Sequence, residues 1–211
     1  MNHQTGWDLG RAARRALWAL VALLSTAHAF AQTTLDAVSG SLQGGVEVVR
    51  IDLSQALATL LQAVAELSGG WKRGPFAAED GSRRARGVAM ASPFGSEVAT
   101  IAEVSLSDGQ VVVHDVWVAI DPGTVVNPRV IEHQVNSAVA LGVSSALLEE
   151  VVYVDGLPQA RNYDGYQILT PDRMPRVHVR IIESGAPIGG IGEPGLPGVP
   201  PAIANAVAVL A

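Results

Sequence analysis

Two runs of alternating residues joined by a two-residue turn constrain this chain more than any other feature. Val98, Thr100, Ala102, Val104 and Leu106 recur at every second position, Asp108-Gly109 follows, and Val111–Ile120 returns with the same β-rich composition. Alternation at period two puts successive side chains on opposite faces of a strand, and Asp-Gly is one of the dipeptides that close a tight hairpin. A two-stranded ribbon is marginal in water, so other elements must cover its apolar face. The next segment supplies one. Asp121-Pro122-Gly123 is a turn, and Asn127-Pro128 has the order of an N-cap followed by the proline favoured at the first helical position. The helix it opens is predicted to run to about Glu149, with Val135, Val139, Val143 and Leu147 on one face. Ala138, Gly142, Ser145 and Ala146 lie alongside as small residues that admit a ligand or a neighbouring backbone. Tight helix–sheet packing is the commoner reason for such a row.

The flanks complete an α+β pattern. Asp52 and Ser54 offer N-caps to a helix with Leu57, Leu60, Leu61, Val64 and Leu67 on one face, stopped by Gly69-Gly70. Residues Lys72–Arg86, with Gly74-Pro75 and mixed charges, read as a loop. Val151–Val154, an Asp155-Gly156 turn, and Val177, Val179 and Ile181 add strands. Gly185–Gly198 is a Gly/Pro-rich loop leading into a short helix from Pro200. Strand pair, helix, strands and helix in this order predict α+β rather than a doubly wound sheet. Upstream, residues 32–51 read as a linker with a short strand at Val46–Ile51.

Arg11, Arg14 and Arg15 precede an uncharged apolar stretch, Ala16–Leu24, and Ala29-Phe30-Ala31 closes the segment. Basic region, apolar core and A-x-A site are the parts of a secretory signal, cut here before Gln32. The core is shorter than the roughly 20 apolar residues that span a bilayer. A buried amphipathic helix is the alternative, but this stretch is apolar all round rather than on one stripe. The expectation is a signal peptide over residues 1–31 and a periplasmic or exported protein. The Arg14-Arg15 pair also resembles part of a twin-arginine signal.

Charge and cysteine usage remove several function classes. The chain has 14 Lys+Arg against 20 Asp+Glu, a net charge of −6 and no basic run, so no nucleic-acid partner is expected. With no cysteine, the chain offers no disulfide, no thiolate nucleophile and no ligand for an iron–sulfur cluster. Electrons from any redox step would therefore leave through another polypeptide or a bound organic cofactor.

One segment carries candidate chemistry. In Gly189-Gly190-Ile191-Gly192-Glu193-Pro194-Gly195 a single carboxylate stands among glycines that let backbone approach a ligand, and Pro194 stiffens the chain beside it. Glu193 can serve as a general base if a ligand covers it, while a solvated surface glutamate is the plainer local reading. Gly190 to Gly195 formally fits G-x-G-x-x-G, but a dinucleotide site needs strand, turn and helix with an acid roughly 20 residues on. The chain ends at Ala211, and Glu193 would face a pyrophosphate with negative charge. His114 and His178 read as satisfied strand residues, and no His/Asp/Glu cluster has metal-ligand spacing.

Three segments in order resemble the second molybdenum-cofactor domain of the xanthine dehydrogenase/aldehyde oxidase family, in its isoquinoline 1-oxidoreductase beta-subunit branch. They are Arg86–Ala99, then Asp121–Pro128 with His133-Gln134-Val135, and Gly189–Pro194 with Pro200–Val207. The helix at Ala56–Trp71 also fits, so the resemblance runs from Ala56 to Ala211. It implies that Glu193 matches the family's catalytic base, which deprotonates the hydroxyl that attacks an electron-poor carbon of an N-heterocycle or aldehyde. It also implies that Gln134, with Gly190 and Gly192, contacts a molybdenum-pterin cofactor, and that an iron–sulfur electron-transfer subunit is the partner. Where the family has Glu-Gly after Gln-Val, this chain has Asn136-Ser137.

Family subunits are far longer, so the expectation is a partial molybdopterin-binding domain at 56–211, preceded at 32–55 by a linker or unrelated leader. Two functional readings follow. One is a truncated subunit of a molybdenum hydroxylase, inactive alone and completed by a complementary large-subunit chain. The other is a non-catalytic remnant or binding module that keeps the fold without the cofactor.

Overall fold

The computed structural model describes residues 53–107 and 109–211. The expected signal peptide, linker, short strand at Val46–Ile51 and hairpin residue Asp108 lie outside them.

The predicted hairpin forms the centre of the described sheet. β3 (Glu97–Ser107) and β4 (Gln110–Asp121), described here with β1 (Phe76–Ala77), β2 (Arg83–Ala91) and β7 (Arg176–Ile181), build one five-stranded sheet in the order β1-β2-β3-β4-β7. The first four strands are antiparallel neighbours, while β7 runs parallel to β4 from Asp115↔Arg176 to Ile120↔Ile181. A parallel pair needs a crossover, and the chain makes it through helix α2 (Pro128–Leu147), a small ribbon of β5 (Tyr153–Val154) with β6 (Leu157–Pro158), and two 3-10 turns.

Both faces of the sheet are covered. Alternate residues Val98, Ala102 and Val104 of β3 and Val116, Val118 and Ile120 of β4 pack against Val135, Val139 and Val143 of α2. Ala202, Ile203 and Ala206 of helix α3 (Val199–Leu210) join the same layer. The other parity, Ala99, Ile101, Trp117 and Ala119, packs against Leu60, Ala63 and Val64 of helix α1 (Leu53–Leu67). Each fully buried Val, Leu or Ile contributes about 1.5–3 kcal/mol. Burial on both sides explains why the strands carry apolar residues at nearly every position. The register shifts between Glu103 and Val104, giving β4 an extra residue near His114 that keeps both halves of the strand facing their layers.

The small residues of α2 serve packing. A Cβ on Gly142 would stand 2.6 Å from Val199 Cβ, so the start of α3 rests on this helix. At the other end Asn127 caps α2 as expected, its side chain accepting from the Val130 N–H.

One expectation needs correction. Residues 72–86 are not wholly loop: Phe76–Ala77 and Arg83–Arg86 are strand. Mixed charge obscured the pattern, because Arg84 and Arg86 are buried against a carboxylate from the next strand. Arg84 Nη1 and Arg86 Nε donate to Glu103 at 3.0 and 2.8 Å, so the charges point inward as pairs. Helix α2 stops at Leu147 rather than Glu149, and the predicted strand at Val151–Val154 shortens to Tyr153–Val154.

Candidate active site

The segments that carry the resemblance are far apart in sequence, yet they meet at one end of the sheet. β2 turns into β3 there through residues 92–96, β4 and β7 finish there, and α2 begins there. The loop 182–198 is bonded to each of these elements. Gly189 N–H donates to Pro122 O at 2.9 Å, and Gly190 N–H donates to Phe94 O at 2.8 Å. Ser96, fully buried, donates its hydroxyl to Gly190 O at 2.7 Å. Asp121, also buried, accepts from Gly123 N–H and from the Ser184 hydroxyl at 2.8 and 3.0 Å, holding both turns together.

Glycine is required at two of these positions by close approach. A Cβ on Gly189 would lie 2.5 Å from Gly95 O, and one on Gly190 would lie 2.8 Å from Phe94 Cβ. Gly192 differs: it is exposed, with nothing within 4 Å of where a Cβ would stand. Its bare backbone face is open, and that is the property a ligand-contacting glycine needs.

Gln134, from the first turns of α2, donates Nε2–H to Gly192 O at 2.8 Å. The structure thereby brings Gln134, Gly190, Gly192 and Glu193 onto one rim. The amide oxygen of Gln134 has no bonded partner among the described residues and keeps its acceptor capacity. Glu193 is exposed, and its carboxylate has no bonded partner among the described residues. Its backbone carbonyl accepts from Leu196 N–H at 3.1 Å, Pro194 and Gly195 behind it are buried, and Gly195 lies against α2 at Val135 and Ala138. The carboxylate therefore projects from a loop whose backbone is anchored on both sides. An amide oxygen with acceptor capacity left, an open glycine face and an unengaged carboxylate suit one side of a polar, flat cofactor such as a pterin.

Ser96, Asp121 and Ser184 were not legible as parts of this site, since each hydroxyl or carboxylate acts on backbone distant in the chain. Pro93-Phe94-Gly95 was the available signal, being a turn that could reach another loop.

A second polar cluster sits towards the other end of the sheet, on the α1 side. Asp115 is buried and accepts from Arg176 Nη2 at 2.7 Å and from His178 Nε2 at 2.9 Å. Burial pushes the Asp115 carboxyl up, but the bonds from Arg176 and His178 outweigh it and hold the group below its usual value. His178 stacks on Trp117 at 5.4 Å, and the Arg86 guanidinium lies 4.5 Å from the Trp117 ring. These residues line a cavity of about 640 Å³, and Val113, His114, Leu147, Leu169 and Met174 line another of about 860 Å³ on the α2 side. Neither includes Gln134 or Glu193. Among the described residues, no cluster of His, Asp and Glu could hold a metal ion.

Comparison with known proteins places the chain in a family. The molybdopterin cofactor-binding domain family matches residues 9–175. The beta subunit of isoquinoline 1-oxidoreductase from Brevundimonas diminuta is 33% identical over 163 residues, which is 76% of this chain and 20% of that protein. The molybdenum-binding subunit PaoC of an aldehyde oxidoreductase from Escherichia coli K12 is 34% identical over 112 residues, 49% of this chain and 15% of the subunit. Quinoline 2-oxidoreductase from Pseudomonas putida 86 superposes with a TM-score of 0.51 at 30% identity, covering 53% of this chain and 15% of that one. The chain thus spans about a fifth or less of the length of these relatives. The family match ends at residue 175, ahead of the Gly189–Gly195 loop. By sequence, fold and the convergence of its segments, the chain belongs to the molybdopterin cofactor-binding domain family of the molybdenum hydroxylases.

Proposed function

We propose that this domain forms one wall of a hydroxylase active site, with Glu193 as general base and Gln134, Gly190 and Gly192 as cofactor contacts. The observation that carries the reading is the Gln134–Gly192 hydrogen bond, which sets the amide, the open glycine face and the Glu193 carboxylate on one rim. A molybdenum-pterin group, when bound, supplies oxygen transfer to carbon and takes up two electrons. The chain's own residues bind, orient and move a proton. Glu193 accepts the proton from the attacking hydroxyl, and covering its carboxylate with ligand and neighbouring protein raises its basicity for that step.

Aromatic N-heterocycles and aldehydes are the proposed substrates, by analogy with relatives named for isoquinoline, quinoline and aldehydes. An iron–sulfur subunit is the proposed electron acceptor, since this chain has no cysteine to ligate a cluster. A pocket that encloses a substrate needs more walls than this rim. We infer that they come from large-subunit regions not contained in these 211 residues, so that the domain is inactive without them. The second reading, a non-catalytic module that keeps the fold without the cofactor, is favoured by the exposure of Glu193.

The two are separated by expressing the chain with those regions in a host that makes the pterin. Glu193→Gln should keep the bound molybdenum and lower turnover by roughly 10²–10⁴-fold, the usual contribution of a general base. Unchanged turnover removes Glu193 from the mechanism, and absence of molybdenum in the parent complex favours the second reading.

A further inference from the structure

Strand β4 keeps a free edge over its first half. β7 lies beside it from Asp115↔Arg176 to Ile120↔Ile181, and among the described residues no strand lies on that side of Gln110–His114. On the other side Gln110–Val113 pairs with Val104–Ser107 of β3. Successive residues of a strand turn their N–H and C=O groups to opposite sides, so every second residue of this stretch faces away from β3. Among the described residues, no loop or turn bonds to those outward groups. The 3-10 turn Pro171–Arg173 and then Pro175 precede β7, so pairing begins only at Arg176. An open edge is a template for another strand, and proteins usually guard it with lysine, other charges or proline. Gln110-Val-Val-Val-His114 has no acid, lysine, arginine or proline, and its three valines favour strand. Burial, with the Arg84 charge nearby, holds the His114 imidazole below its usual value, which keeps the edge uncharged at pH 7.

The same stretch lines the cavity of about 860 Å³, together with Val143 and Leu147 at the end of α2 and Leu169 and Met174 of the crossover. Val111 and Val113 turn their side chains to this α2 layer. An open strand edge beside an apolar cavity is the arrangement used in strand addition: main-chain bonds hold the incoming segment and the cavity takes its alternate side chains. The length of the relatives indicates the source of that segment. The chain covers 20% of the isoquinoline 1-oxidoreductase beta subunit and 15% of the PaoC subunit, so most of such a subunit lies outside these residues. A second copy fits less well, because its own β4 edge is bordered by its own crossover and pairing the edges brings both crossovers together. We propose that Gln110–His114 is a strand-addition site. It takes an extended, uncharged segment, apolar at alternate positions, from the large-subunit regions outside these 211 residues. This rests on the reading that such regions complete the domain, and it assigns where and how one of them attaches.

Amide hydrogen exchange and a peptide titration test this. In the 211-residue chain alone the outward amides of Gln110–His114 should exchange fast, and in its complex with the large-subunit regions they should slow by about tenfold or more. The peptide probe is acetyl-Lys-Val-Thr-Val-Thr-Val-Lys-amide, added to the chain alone. It should shift the amides of Gln110–His114 and slow the same exchange. Two further forms, one N-methylated at its valines and one at its threonines, separate strand addition from plain apolar contact. Because neighbouring N–H groups of a strand point to opposite sides, one form should lose about tenfold or more in affinity while the other keeps it. Equal binding of both forms, no binding of the parent peptide, or shifts confined to other surfaces would overturn the site. Slow exchange in the chain alone, with a dimer seen by sedimentation, would overturn the proposed occupant in favour of a second copy. Amides that exchange equally fast in the complex would remove this attachment and leave the reading of Glu193 intact. No complex at all would remove both. Neither readout needs turnover, and Glu193 does not line this cavity, so Glu193→Gln still tests the base by itself.

Discussion

At the scale of single residues, the buried charges are decided by their partners. Glu103 takes bonds from both Arg84 and Arg86, and Asp115 takes bonds from Arg176 and His178. Removing either carboxylate takes away the counter-charge that two cationic groups share, which costs more than a single surface ion pair would. Asp115 also makes stability depend on pH. Its carboxyl titrates below the value of an unfolded aspartate, so the stabilisation is complete above about pH 4 and is lost as acid protonates the folded form. Asp115→Asn is expected to cost about 2 kcal/mol at pH 7 and progressively less below pH 4. Urea titrations of both proteins at the two pH values measure this, and a pH-independent difference would assign the effect to shape rather than charge. Glu193 lies at the opposite extreme, an exposed carboxylate without a bonded partner among the described residues.

At the scale of elements, the decisive feature is how closely α3 lies on the sheet. A Cβ at Gly87 of β2 would stand 2.1 Å from Ala202 O and 2.4 Å from Ala206 N, both backbone atoms that cannot step aside as a side chain can. Asn205 of the same helix donates to Val88 O at 2.9 Å, fixing the helix at that distance. Gly87→Ala should therefore push α3 off β2 and destabilise the domain by about 3 kcal/mol or more, in the range of severe overpacking. Thermal unfolding checks it, and a midpoint equal to the parent's would mean the helix rides further out. Because α3 directly follows the loop of Glu193, the variant should also loosen the Gly190 amide towards hydrogen exchange.

At the scale of the whole molecule, the domain covers a fifth or less of the relatives it matches, and its site rim is one-sided. Export remains our proposal from the arrangement of Arg11, Ala16–Leu24 and Ala29-Phe30-Ala31. Mass spectrometry of protein from a periplasmic fraction should find Gln32 as the first residue, whereas an intact Met1 confined to the cytoplasm would refute it. The β3–β4 hairpin, the Asn127 cap, the start of α2 and the α+β class were all legible in the sequence, because periodicity and capping act over a few neighbouring residues. Strand β2 was not, since Arg84 and Arg86 look like solvent residues until Glu103 of the next strand is placed beside them. The parallel pairing of β4 with β7 joins residues about sixty positions apart, and no local pattern encodes such a contact. The same limit applies to the site. Sequence alone determined that a glutamate stands among glycines and that Gln134 opens a helix. Only the tertiary structure decided that Ser96, Pro122 and Gln134 hold one loop, because hydrogen bonds between distant segments exist only once the sheet has brought their ends together.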